Sequence, residues 1–195
     1  MKKNLQNLFL ASALIGGSLT ALAQPTLTGA NINPVIGEMF AIKNSNSSVA
    51  PGSAGASQTW NMTGLLVASS GTTTFMSVAS TPSGSAFPAA NIAGFDGANY
   101  AYSNNTSASS LNQGAVGNNV VFSYGNPETI LTFPTNFNNS GSDAWQCIFT
   151  TSSITFTRSG TTTVTADGYG TITTPANTYN NAMRMHFVQS YTDAA

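Results

Sequence analysis

Beyond Gln24 the apolar residues come in short runs broken by clusters of Gly, Pro, Asn and Ser, and no stretch keeps them at helical spacing through three turns. Short runs bounded by turn formers are the mark of strands, because side chains alternate between two faces and only one face is buried. The pattern predicts ten short strands, over residues 35–42, 59–67, 72–79, 119–124, 129–133, 144–150, 153–158, 161–166, 169–174 and 181–190. That number of strands predicts an all-β fold, an antiparallel β-sandwich of jelly-roll or immunoglobulin-like kind.

The last third carries the clearest alternation. Ile154, Phe156 and Arg158 interleave with Thr155 and Thr157, and Ser159-Gly160 is positioned to turn the chain. Asp167-Gly168 reads as a second hairpin turn, since the central turn positions need positive φ and Asp and Gly tolerate it. Pro175-Ala176-Asn177 reads as a third. In the final strand Met183, Met185 and Phe187 share the face expected to be inward, while Ala182, Arg184, His186, Val188 and Ser190 share the other. Residues 80–118 and 44–57 are rich in Ser, Asn, Ala and Gly and read as loops, the places where a ligand surface would lie.

The N-terminus changes the picture of where the protein works. Lys2 and Lys3 precede an apolar stretch that closes on Ala21-Leu22-Ala23. This is the pattern of a secretory signal peptide over residues 1–23, cut by a signal peptidase before Gln24 and served by an export machinery. The remaining 172 residues, 24–195, suffice for one β-sandwich domain burying roughly 70% of the unfolded chain's surface. No later segment approaches the length of an apolar membrane span, so no transmembrane segment is expected in the mature chain. The expected address is outside the cytoplasm: periplasm, cell surface or medium.

Charge is sparse. Three bases, Lys43, Arg158 and Arg184, face six acids, Glu38, Asp96, Glu128, Asp143, Asp167 and Asp193, leaving the mature chain at minus three. That balance cannot neutralise a run of phosphates, which excludes nucleic acid as a partner. Cys147 is the sole cysteine, so no intrachain disulfide forms, and it alternates with Trp145 and Phe149 as a small apolar side chain would. Asn46-Ser47-Ser48 and Asn61-Met62-Thr63 match a glycosylation acceptor pattern, which an Asn- and Ser-rich bacterial chain produces by chance.

Candidate chemistry is weak throughout. His186 is the only histidine, which removes most zinc and two-histidine iron constellations, and no Gly-x-Ser-x-Gly elbow accompanies it. The five carboxylates Glu38, Asp96, Glu128, Asp143 and Asp167 could supply a glycosidase pair, yet each sits in a context with a structural reason, such as a turn. No regular Asp-x-Asp-x-Asp spacing marks a calcium loop. Trp60 and Trp145 lie in apolar strand patterns and read as core rather than sugar platforms. The residues therefore point to no catalytic residue, no metal site and no cofactor.

Two segments resemble a recurring type of uncharacterised secreted protein from Gram-negative gliding bacteria, exported as cargo of the type IX secretion system. The first is NPVIGEMFAIKNSNSSVAPGSAGASQTWNMTGLL. The second is LTFPTNFNNSGSDAWQCIF followed by TADGYGTITTPANTYNNAMRM. The resemblance implies a secreted β-rich N-terminal domain and carries no catalytic residue with it. Members of that type continue into a C-terminal sorting domain, whereas this sequence stops at QSYTDAA, and it is read as truncated at that end. The expected function is a secreted, non-enzymatic module with a structural, adhesive or interaction role. A carbohydrate-binding module using Tyr100 and Tyr102 as loop aromatics is the alternative, and an extracellular hydrolase the second.

Overall fold

A computed structural model of the chain describes residues 24–195, and the signal peptide expected over 1–23 lies outside the described residues. A single helical turn, α1 (Gly29–Ile32), precedes ten strands. These are β1 (Met39–Ser45), β2 (Gly55–Asn61), β3 (Val67–Met76), β4 (Ile92–Phe95), β5 (Tyr100–Asn105), β6 (Ser109–Gly117), β7 (Val120–Thr132), β8 (Ser140–Thr151), β9 (Ile154–Thr173) and β10 (Thr178–Ala194). The fold is all-β, as the short-run pattern predicts. Hydrogen bonds connect β1-β3-β4-β5-β6-β7-β8-β9-β10 as one antiparallel path, and β2 adds in parallel to the second half of β9.

The path does not stay flat, and β7 is where it bends. As far as Tyr124, β7 pairs with β8 opposite Cys147, but Gly125 is an extra residue and the pairing ends at Asn126 opposite Gln146. From Glu128 to Thr132 the same strand continues to pair with β6 alone. The Glu128 carboxylate then accepts hydrogen bonds from Thr162 of β9 at 2.6 Å and Gln189 of β10 at 2.7 Å. In a flat sheet β9 would lie two strand spacings from β7, roughly 10 Å, and β10 three. Those bonds therefore require the second half of β7 to cross over the face of β9 and β10. A bulged strand that serves both layers is the usual corner of a sandwich.

Several boundaries differ from expectation. Residues 153–158, 161–166 and 169–174 form one strand, β9, that passes straight through the two expected turns. The glycines there make room instead of turning the chain. A Cβ on Gly160 would sit 2.5 Å from the Trp145 ring, one on Gly168 3.1 Å from the Trp60 ring, and one on Gly170 1.9 Å from the Gln58 carbonyl of β2. Asp167 is the extra residue of a bulge, since Arg184 pairs with Gly168 and Met185 with Ala166. Residues 119–124 and 129–133 likewise merge into β7. The inward face expected for the last strand holds only in part, because Met183 and Met185 are half-buried while Phe187 is exposed.

The segment 80–118, expected as loops, holds three strands and half the core. Phe87, Ala93 and Tyr102 are buried together, with Met76, Val78, Ala90, Tyr100 and Val116 packed around them. The Phe87 and Tyr102 rings stack with centroids 4.0 Å apart, and a Cβ on Gly114 would strike Phe87 at 2.2 Å. The small residues that suggest loops are what allow this close stacking. A second cluster, Trp145, Cys147 and Phe149, packs with Val120, Phe122, Tyr124 and Phe156. Among the described residues no helix is long and apolar enough to cross a membrane.

Candidate functional site

Because β7 parts from β8 after Asn126, the two arms of that hairpin diverge toward the loop 133–139 and enclose a cleft of about 430 Å³. Leu131 and Pro134 form one wall, Asn139 and Asp143 the other, and Val164 and Met185 line it from β9 and β10. The loop is pinned by an isolated bridge in which Leu27 and Thr135 exchange backbone hydrogen bonds, both 2.9 Å. Side chains satisfy part of the separated strand edges. The Thr129 N–H donates to Asp143 Oδ2 at 2.8 Å, Asn126 Nδ2 donates to the Ala144 carbonyl, and Thr135 Oγ1 donates to the Thr132 carbonyl.

Below the inner end of the cleft lies a buried polar network. Glu128, 5% exposed, takes Thr162 Oγ1 and Gln189 Nε2 on Oε1 and Asn112 Nδ2 on Oε2 at 3.4 Å. Thr162 Oγ1 in turn accepts from the Trp145 indole N–H at 2.9 Å. Among the described residues every donor to this carboxylate is a neutral amide or hydroxyl. Burial, reinforced by the Glu128 charge, pushes the nearby Tyr124 phenol up to about 12. A buried carboxylate committed to three donors stabilises one arrangement of the two layers, and Glu128 does not line the cleft.

A second groove, of about 460 Å³, lies on the face of β3 to β6. Phe40 and Phe75, in edge contact at 5.2 Å, and Tyr100 flank it, and Gly94, Ala101 and Ser103 leave its floor low. Its one carboxylate, Asp96, is held below the usual range by hydrogen bonds from Asn99 and Ala98, so it closes its own turn.

The candidate residues are scattered. His186 is exposed on β10 opposite Thr165. Asp167 and Arg184 form an ion pair at 3.2 Å, and the guanidinium also donates to the Gly52 carbonyl, so this pair fastens the 51–55 loop to the sheet. Trp60 helps from below, donating its indole N–H to the Ser53 carbonyl at 3.0 Å. Glu38 accepts from the Val35 N–H. Of the five carboxylates, Glu128 and Asp143 are drawn together around Thr162, the bonding partner of the first and the register partner of the second, but only Asp143 lines the cleft.

Cys147 is buried among aromatic rings, and burial pushes its thiol up, which removes nucleophilic character. Trp60 and Trp145 are both buried, as their strand patterns predict. The expected loop aromatics are not in a loop: Tyr100 and Tyr102 lie on β5, and Tyr102 is fully buried, its hydroxyl donating to Thr81 at 2.9 Å. No local sequence pattern marks the network of Asn112, Glu128, Thr162 and Gln189. Its members are up to 77 positions apart, and Glu128, following Asn126-Pro127, looks like a turn residue. No family model matches the chain, and neither the curated proteins nor the solved structures contain a match to it.

Proposed function

We propose that this protein is a secreted, non-enzymatic β-sandwich module with a structural, adhesive or interaction role at or outside the cell surface. The observation that carries it is the placement of exposed apolar side chains on the two outermost strands of the path. Met39, Phe40 and Ile42 are exposed on β1, and Tyr179, Phe187, Val188 and Tyr191 on β10. An outermost strand presents unpaired backbone groups along one side, and apolar side chains beside them invite a partner strand. The N-terminal pattern supports export, and the resemblance to type IX cargo supports delivery to the surface. Carbohydrate binding is the second reading, favoured by a cleft walled with hydroxyls and amides.

The test is retention of the purified protein on immobilised cell envelope, with a broad hydrolase panel run in parallel. Retention without turnover is expected, and Val188→Lys on the β10 edge should weaken it. Turnover that disappears in Asp143→Asn or His186→Ala would overturn the non-enzymatic reading.

A further inference from the structure

We infer that the cleft between the diverging arms of β7 and β8 is a binding site for a neutral saccharide unit, with Asp143 as its principal hydrogen-bond acceptor. The inference rests on the interaction reading and names its ligand class. The lining carries no Lys, Arg or His, and Asp143 is its single charged group, which disfavours anions. The free hydrogen-bonding capacity is that of hydroxyl and carboxamide chemistry. Asp143 uses Oδ2 for the Thr129 N–H, while Asp143 Oδ1, Asn139 Nδ2, Thr129 Oγ1 and Thr132 Oγ1 have no hydrogen-bond partner among the described residues. Against these acceptors and donors stand the apolar side chains of Leu131, Val164 and Met185. A pyranose presents this combination, hydroxyls around its rim and a C–H surface on its face. A cavity of about 430 Å³ accommodates one or two such rings.

An inserted peptide strand fits less well, although both walls are strand edges. A strand needs a continuous ladder of free backbone groups, and here Asn126, Thr135 and Asp143 already cap the edge positions Ala144, Thr132 and Thr129. Those caps interrupt the ladder, and the free side-chain atoms beside them stand at uneven spacing, which suits a polyol better than a strand.

The test is methyl-labelled NMR of the protein titrated with cellotriose, chitotriose, laminaritriose and mannotriose, each to about 10 mM, a range that reaches weak affinities. The expected result is that at least one trisaccharide shifts the methyls of Leu131, Val164 and Met185. Asp143→Asn, which keeps an oxygen for the Thr129 N–H, should weaken that binding about tenfold, as loss of a charge-assisted acceptor does. Gly141→Trp, on the same face of β8 as Asp143 and at a position where an added Cβ meets nothing within 4 Å, should abolish it with the thermal transition retained.

The inference is overturned if none of the four shifts those methyls, or if binding is the same in both variants. It is also overturned if the shifts fall on the Ile92 and Ala101 methyls of the second groove instead, or if a polythreonine peptide moves the same methyls and no saccharide does. Loss of saccharide binding in Gly141→Trp with envelope retention intact separates this site from the edge-strand role. Envelope retention that survives a blank titration leaves the interaction reading standing without this ligand.

Discussion

The two apolar clusters of this protein are completed by polar groups in opposite ways. The first, around Tyr102, is made within a short span: Phe87, Ala93 and Tyr102 fall inside 16 residues, and the segment from Val78 to Ala90 folds back to cover the face they make. Its one buried hydroxyl is satisfied locally by Thr81. The second, around Trp145, is made by the consecutive strands β7, β8 and β9, and the Trp145 indole bonds Thr162 at the wall of the cleft. Its polar members, Glu128, Thr162 and Gln189, join β7 to β9 and β10 across the layers. A sealed local cluster supplies stability, while a cluster assembled across a corner leaves a place where two strands part. Cleft and corner are one feature, since the Gly125 bulge that bends β7 is also what separates it from β8.

Substitutions break this contrast by graded amounts. Tyr102→Ala, which empties the sealed cluster and leaves Thr81 without its donor, should cost about 3–5 kcal/mol in denaturant unfolding. Glu128→Ala leaves the buried Thr162 hydroxyl without its acceptor and removes the contacts to Gln189 and Asn112, and should cost about 2–3 kcal/mol, together with perturbation of the Trp145 indole resonance. Gly170→Ala drives a Cβ into the Gln58 backbone and should cost about 1–2 kcal/mol, with Trp60 fluorescence reporting displacement of β2. Tyr102→Phe removes only the hydroxyl bond to Thr81 and should cost about 1 kcal/mol, which separates packing from hydrogen bonding in the first cluster.

The smallest expected effect is at the rim of the second cluster. Arg158 donates two 2.7 Å hydrogen bonds to Asp193 and lies over the Tyr191 ring, 4.2 Å from its centroid. The Arg158 hydrogen bonds hold the Asp193 carboxyl below its ordinary 3.8. A carboxyl lowered in the folded state contributes stability that is complete above its unfolded value and fades as pH falls through the folded one. The difference between the protein and its Asp193→Asn variant should therefore be constant near neutral pH and vanish in acid. Thermal melts from neutral to acidic pH check it. A difference that grows in acid would show that the ion pair is not the cause.

The second cluster was the more legible in the sequence, and its neighbouring turns were the least. Trp145, Cys147 and Phe149 alternate so plainly that burial of all three follows from strand geometry alone. The turn propensity of Gly160 and Gly168 misleads for a definite reason. Local sequence carries turn propensity, but a glycine that clears space for a ring is chosen by a partner 15 or 108 positions away, Trp145 for one and Trp60 for the other. The same argument covers residues 80–118, where Gly94, Ala101 and Gly114 resemble loop composition yet lie in paired strands. The cleft was illegible because its two sides are defined by where pairing stops.

Sequence by itself determined the all-β character, the buried placement of both tryptophans and Cys147, and the lack of any motif for metal or nucleophilic catalysis. Period-two alternation and residue type act within a few positions, so they survive without knowledge of the fold. Only the tertiary structure decided that three expected strands are one, that Asp167 and Arg184 fasten a loop, and that Glu128 ties two layers together at the inner end of the open cleft. Those outcomes depend on which strands meet across long sequence separations, and the closure of such distant contacts is governed by the packing of the whole chain rather than by any segment of it.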